Sequence, residues 1–292
     1  MIKGLAITPP VIGRISIGKV TETNGNRLPQ KDDQFTITTQ IQGKEGWLTH
    51  PVDAQLREQG KKLRTLPIRL LFNDPALNLR AEYTFFDRKT GRPVCMGDGQ
   101  QCRRQTSEGM ETLPCPGPTQ CEFGKGGLCK PYGRLNVRIG DDDEIGTFIF
   151  RTTGFNSIRT LAARLQYFSA VSGNRLACLP LAMKLRGKST TQSYRTPIYY
   201  ADITTREGVS LGDAIKEAQE LAAQREEVGF NQEALDLAAQ QGFANAVFED
   251  DVEDLVDIIA EHFSAPDGDQ RESKPVSFSK LKETLAAARE AS

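Results

Sequence analysis

Cys95–Gly133 reads CMGDGQQCRRQTSEGMETLPCPGPTQCEFGKGGLCKPYG, and its reading decides how the rest of the chain is organised. Cys95, Cys102, Cys115, Cys121 and Cys129 fall within 35 residues, and only Cys178 lies elsewhere. Gly, Pro, Gln and charged residues fill the gaps, with too few apolar side chains for a core of their own. Ordering such a loop loses entropy without burial to offset it, so a staple is expected. Thiolates at this density suit a tetrahedral zinc ion; disulfides and an iron–sulfur cluster are the alternatives. The spacing, C-x6-C-x12-C-x5-C-x7-C, lacks the tight C-x2-C pair of a ribbon or finger. The density therefore points to metal, while the spacing leaves the ligand set open.

Working outward, alternation of apolar and polar residues marks strands on both sides of this stretch. Val11–Val20 and Gln34–Ile41 alternate around a turn signal at Thr23-Asn24-Gly25-Asn26, as a hairpin does. Leu66–Phe72 and Leu79–Phe86 are further strands, separated by a turn at Asn73-Asp74-Pro75. Arg134–Ile139 and Glu144–Thr152 resume the pattern beyond the cysteines. The cysteine stretch is thus an excursion from a sheet. A helix starting with Asn156 or Ser157 as cap carries Ile158, Leu161, Leu165 and Phe168 on one face. Leu176–Arg186 and Ser193–Ile203 read as the last strands.

After Asp202 the composition shifts to Ala, Glu and Gln. Ser210–Val228 is a capped amphipathic helix, Asn231–Gln241 a second one broken at Gly242, and Phe248–Phe263 an acidic third. Pro266–Pro275 reads as a polar linker and Ser279–Ala291 as a short last helix. The fold class expected is α+β: a mainly antiparallel sheet body over 1–204, an inserted cysteine-rich zinc module near 95–130, and an acidic helical C-terminal region over 205–292.

The 292 residues, 38% hydrophobic and 26% charged, fit an ordinary globular protein. The opening MIKGLAITPPVIGRI has no apolar run of signal-peptide length, and nothing later is long enough to span a bilayer. A cytoplasmic protein with no membrane partner is expected, which favours metal-bound thiolates over disulfides. Cys178, in LACLPLAM, reads as a small buried hydrophobe.

A net charge of −1 hides an asymmetry. Residues 205–292 hold 20 acidic and 8 basic residues, and residues 1–204 hold 18 and 29, so the balances are −12 and +11. The basic residues Arg151, Arg159, Arg164, Lys184, Arg186, Lys188 and Arg195 lie around Tyr194, Tyr199 and Tyr200. Cations interleaved with aromatics grip phosphates and stack bases, so these are the nucleic-acid-binding candidates. The competing reading is a strand pair with a basic solvent face.

Catalytic signatures are missing. Gly13 and Gly18-Lys19 have the spacing of a phosphate loop, but Val20 stands where a Ser or Thr would bind magnesium. Neither H-E-x-x-H nor G-x-S-x-G occurs, and the two histidines, His50 and His262, lie far from the cysteines in sequence. Asp87 with Lys89 is too unspecific to support a metal-dependent hydrolase. A non-enzyme is expected.

Several short motifs together resemble the phage recombination directionality factor-like proteins. They are IGRIS at 12–16, C-x-G-D-G from Cys95, Cys115-Pro116, C-x7-C-K-P from Cys121, Gly133-Arg134-Leu135-Asn136-Val137, and Gly146–Leu161 (GTFIFRTTGFNSIRTL). The likeness spans roughly residues 10–200 and leaves out the acidic end. It implies an accessory protein of a phage or other mobile element, whose founding relatives bind a serine integrase and bias it toward excision without catalysis. It also implies Cys95, Cys115, Cys121 and Cys129 as zinc ligands, with Cys102 in reserve. A recombinase or integrase is then the expected partner, and direct binding of single- or double-stranded DNA is the alternative.

Overall fold

The computed structural model describes residues 10–23, 26–43, 46–57, 61–141, 146–189 and 197–245. Contacts divide the chain into a main unit, Met1–Gly187 with Tyr199–Ser264, and a small one, Lys188–Ile198 with Ala265–Ser292. Of the small unit only Lys188, Ser189, Pro197 and Ile198 are among the described residues.

The main unit is α+β with a mostly antiparallel sheet. Its strands are β1 (Val11–Thr23), β2 (Asn26–Gly43), β3 (Gly46–Thr49), β4 (Thr65–Arg69), β5 (Leu79–Phe86), β6 (Pro93–Gly97), β7 (Gln101–Thr106), β8 (Gly109–Pro114), β9 (Cys129–Ile139), β10 (Thr147–Thr152), β11 (Leu181–Lys188) and β12 (Ile198–Thr205). The main path runs β3-β2-β1-β10-β9-β5-β6-β7-β8, with β4, β11 and β12 branching from the far end of β9. β1 runs parallel to β10, and the expected hairpin pairs β1 with β2 in antiparallel register. Gly13 and Lys19 lie within β1, in line with the rejected phosphate loop.

Helices α1 (Pro51–Leu56), α2 (Pro75–Asn78), α3 (Phe155–Val171), α4 (Leu211–Glu227) and α5 (Gln232–Asn245) complete the described residues. No helix among them is long and apolar enough to cross a membrane. The apolar stripe of α3, Leu161, Leu165 and Phe168, shares one buried core with Phe35, Ile37, Leu135, Val137 and Phe150. Each fully buried side chain of this size contributes about 1.5–3 kcal/mol. The close approach needs Gly133, because a Cβ there would stand 2.8 Å from Ile158. Beyond residue 204, Ala214 and Ala218 of α4 join this same core, and Ala239 of α5 packs with Phe72 and Leu77.

Four local readings are corrected. The α3 N-cap is Gly154 and makes no side-chain cap bond; Ser157 lies inside the helix, and its Oγ accepts from Ala201 N at 3.1 Å. Leu176–Cys178 is a 3-10 turn, because Asn73 captures the Ala177 amide at 2.9 Å and Pro180 lacks a ladder donor. β4 ends at Arg69, and Asn78 takes up the amides of Leu71 and Phe72 that a longer strand would have paired. Finally, α5 runs through Gly242, since one glycine costs a helix only about 1 kcal/mol. The expected segments Phe248–Phe263, Pro266–Pro275 and Ser279–Ala291 lie outside the described residues.

Candidate functional site: a cysteine cluster on a sheet extension

Instead of a bare loop, much of the cysteine stretch is strand. β6, β7 and β8 form a meander on the edge of β5. Asp98 builds its first turn by accepting from the amides of Gln100 at 2.7 Å and Gln101 at 2.8 Å. Register then sorts the side chains. Cys129 of β9 and Cys95 of β6 both lie directly opposite Phe85, and Cys95 lies opposite Arg104. One row along, Gly97 faces Cys102. Residues two apart on a strand share a face, so Cys95, Cys102 and Cys129 project from one side. The segment between β8 and β9 adds the rest: Cys115 N donates to Gln100 O at 2.8 Å and Cys121 N to Gly117 O at 3.0 Å.

All six cysteines are free thiols. Cys95, Cys102 and Cys115 pack as a buried cluster with Phe85 and Leu113 alongside. Burial first, and then the nearness of Cys95, Cys115, Cys121 and Cys102, pushes the Cys129 thiol up to about 12. Burial, followed by a hydrogen bond with Cys95, pushes Cys102 up to about 11. Burial first, and neighbouring sulfurs second, thus hold Cys102 and Cys129 in the thiol form.

Arg104 is the cation among them. Its Nη2 lies 3.8 Å from Cys121 Sγ and 4.0 Å from Cys102 Sγ, and its guanidinium stacks 4.2 Å over Phe123, whose ring leans on Phe85. Burial works against its charge, but the hydrogen bond to Cys95 and the nearby sulfurs raise its pKa. The spacing argument missed Arg104. Its placement directly opposite Cys95 depends on pairing register, which spacing does not reveal.

The chemistry of this donor set suits a soft, thiophilic divalent ion: five unoxidised sulfurs, four of them on buried residues, beside one cation. Such an ion would reverse the pKa logic, since a coordinating thiol is deprotonated outright. As the side chains stand, no group of three or more His, Cys, Asp or Glu among the described residues is arranged to hold a metal ion.

Of the nucleic-acid candidates, Arg151 lies on β10, Arg159 and Arg164 on α3, and Lys184, Arg186 and Lys188 on β11. Arg164 and Arg186 meet on the buried Asp202, at 3.0 and 3.1 Å, and tie α3 to the β11–β12 pair. Arg159 is exposed on α3 and Lys184 on β11, while Arg151 sits on β10. Lys188 belongs to the small unit, and Arg195 lies outside the described residues, as do Tyr194 and His262. The remaining chemical groups have local duties. His50 Nδ1 caps α1 by accepting from Val52 N at 3.2 Å, and Asp87 Oδ1 closes a turn by accepting from Lys89 N at 2.8 Å. Cys178 is 4% exposed, in the core.

A family profile described as Gp3-like, recombination directionality factor-like, matches residues 12–206. No curated protein and no solved structure matches the chain.

Proposed function

The chain belongs to the Gp3-like, recombination directionality factor-like family, and from that premise we propose that it is a non-catalytic accessory protein of a mobile genetic element. Its role lies in DNA recombination. In this reading it binds the element's own site-specific recombinase, an integrase, and regulates the direction in which that enzyme acts. The supporting observation is that the family match runs from β1 through β12 and includes the whole cysteine module. The module is a built extension of the sheet with Cys95, Cys102, Cys115 and Cys121 buried in it, and is the part least explained by ordinary core packing.

Within this proposal zinc is structural. Cys95, Cys115, Cys121 and Cys129 would hold it, with Cys102 as the fifth thiol and Arg104 offsetting thiolate charge. A closed site with all four positions taken by protein leaves no place for a reacting water. The ion would supply cross-linking of the β8–β9 segment to β6 and β9. That fixes the module's surface for a protein partner.

The test is affinity capture of the purified recombinase by the full chain, with and without a chelator. Binding that requires about one zinc per chain is expected. No capture in either condition would remove the recombinase reading, and capture indifferent to chelation would remove the zinc. Direct DNA binding is the second reading, favoured by the +11 charge balance of residues 1–204.

A further inference from the structure

We propose that a groove on the cysteine module is the docking surface for this chain's own acidic segment, residues 248–263. The groove encloses about 430 Å³ beside the β5–β6 turn, and Phe85, Phe86, Val94, Phe123, Leu128 and Arg88 line it. It is open to solvent: Phe123 is 40% exposed, and Arg88 and Gln105 on its rim are exposed as well. Its wall is preformed. The Phe123 ring leans on Phe85 with centroids 5.2 Å apart, and the Arg104 guanidinium stacks on it at 4.2 Å.

Charge selects the occupant. The turn from Asp87 to Arg92 carries Arg88, Lys89 and Arg92, all exposed. Its one carboxylate, Asp87, already accepts from the Lys89 amide at 2.8 Å. Burial first, and then repulsion from Arg88, lowers the Lys130 pKa, so two cations crowd one another beside the groove. Arg88 and Lys130 have further interactions in the chain, and the site is defined by its open apolar lining together with this local excess of cations. An apolar floor with a basic rim fits an acidic segment that carries an apolar stripe, as a helix laid in a groove does.

Residues 248–263, FEDDVEDLVDIIAEHF, have that chemistry: seven Asp or Glu, no Lys or Arg, and Val252, Leu255, Val256 and Ile259 at helical spacing. They lie outside the described residues, beyond α5. That helix is anchored near the start of β5, where Ala239 packs with Phe72 and Leu77 and Gln240 Nε2 donates to Asp74 at 2.9 Å. From Leu79 to Phe85 is about 20 Å along β5 at the usual strand rise. The step of seven residues from Asn245 to Val252 spans up to about 25 Å, so the tether has the length the groove requires. A short tether raises the local concentration to roughly millimolar, and a modest affinity then keeps the groove occupied.

The experiment places a photoreactive benzoylphenylalanine at position 105, on the groove rim, in the full chain. Irradiation should give adducts with residues 248–263, mapped by mass spectrometry. In an equal mixture of light and heavy-isotope chains these adducts should join parts of one chain. The same probe at position 167, on the exposed face of α3, should give none. A fluorescent peptide of residues 248–263 then reads the groove directly. Leu255→Asp with Ile259→Asp in the full chain alters only the proposed occupant. This variant should bind the peptide about tenfold or more tightly than wild type, because its tethered competitor is lost. Adding Lys89→Glu with Arg92→Glu should abolish that gain, and circular dichroism checks that these exposed substitutions leave the fold intact. Adducts joining light to heavy chains would assign the groove to a second copy and overturn the proposal. So would adducts that miss 248–263, equal peptide affinity in wild type and the tail variant, or a gain that survives the cation reversals. None of these readouts involves a recombinase, so failure here leaves the accessory-protein function standing.

Discussion

Gly97 lies under the sulfur of Cys115: a Cβ built on Gly97 would stand 2.9 Å from that Sγ and 2.7 Å from the Cys102 Cβ. The β6 backbone is therefore the floor on which two of the cysteines rest. Gly97→Ala should destabilise the chain by about 1–3 kcal/mol, the usual cost of overpacking, and should loosen metal retention in parallel. Gly109→Ala offers a contrast, since a Cβ there meets nothing within 4 Å and the strain comes only from its positive φ. Thermal melts with and without chelator compare the two.

Five thiols where the proposed zinc would take four ligands give a graded prediction. Cys129→Ser and Cys121→Ser should abolish stoichiometric zinc, while Cys102→Ser should retain it. Chelation of the wild type should expose thiols to an alkylating reagent in the module first and leave Cys178, at 4% exposure, protected until global unfolding. Mass spectrometry of the labelled chain reads the order. Retention of zinc by Cys129→Ser would remove Cys129 from the ligand set.

Asp202 holds two cations at once, and that makes its removal asymmetric. Asp202→Ala should cost about 1–3 kcal/mol, because α3 loses its tie to β11 and the buried Ile203 amide loses an acceptor at 2.9 Å. Arg164→Gln leaves Asp202 paired with Arg186 and should cost less than about 1 kcal/mol, because Arg164 itself is half exposed. Denaturant melts of both variants check the ordering.

Asp141 provides a pH signature. Hydrogen bonds from Arg206 first, and then from Arg69, hold its carboxyl at about 2, below its ordinary 3.8. A depressed folded-state pKa stabilises the fold above the unfolded value and loses that contribution as pH falls through the folded one. The stability gap between wild type and Asp141→Asn should therefore be steady near neutrality and close between about pH 4 and pH 2. Its half-exposed side chain keeps the gap small. A gap that widens on acidification would contradict the assignment.

How far the sequence carried the fold can be judged from particular elements. Alternation located β5 at its observed ends, and Ser210 was legible as the α4 cap, because both are local signals. The α3 cap was not, because Ser157 is claimed by the Ala201 amide across the fold. The cysteines announced a site by density alone, but the meander carrying them did not. Gln and Arg dominate β7 (QCRRQT), and Gly, Glu, Thr and Pro interrupt β8 (GMETLP), so neither shows the apolar alternation that marks a half-buried strand. The cross-strand alignment of three arginines was hidden for a related reason. Arg80, Arg134 and Arg151 each look like an ordinary outward residue on one strand, and only the register of β5, β9 and β10 lines them up.

The proposed role is to steer a recombinase without catalysing anything. An in-vitro recombination assay tests it head-on, using the element's purified integrase on integration and excision substrates, with and without the full chain. Adding the chain should give more excision and less integration, the zinc-free cysteine variants should lose that bias, and the chain alone should cleave no strand. An integrase whose two directions are both unaffected, or cleavage by the chain in the integrase's absence, would contradict it.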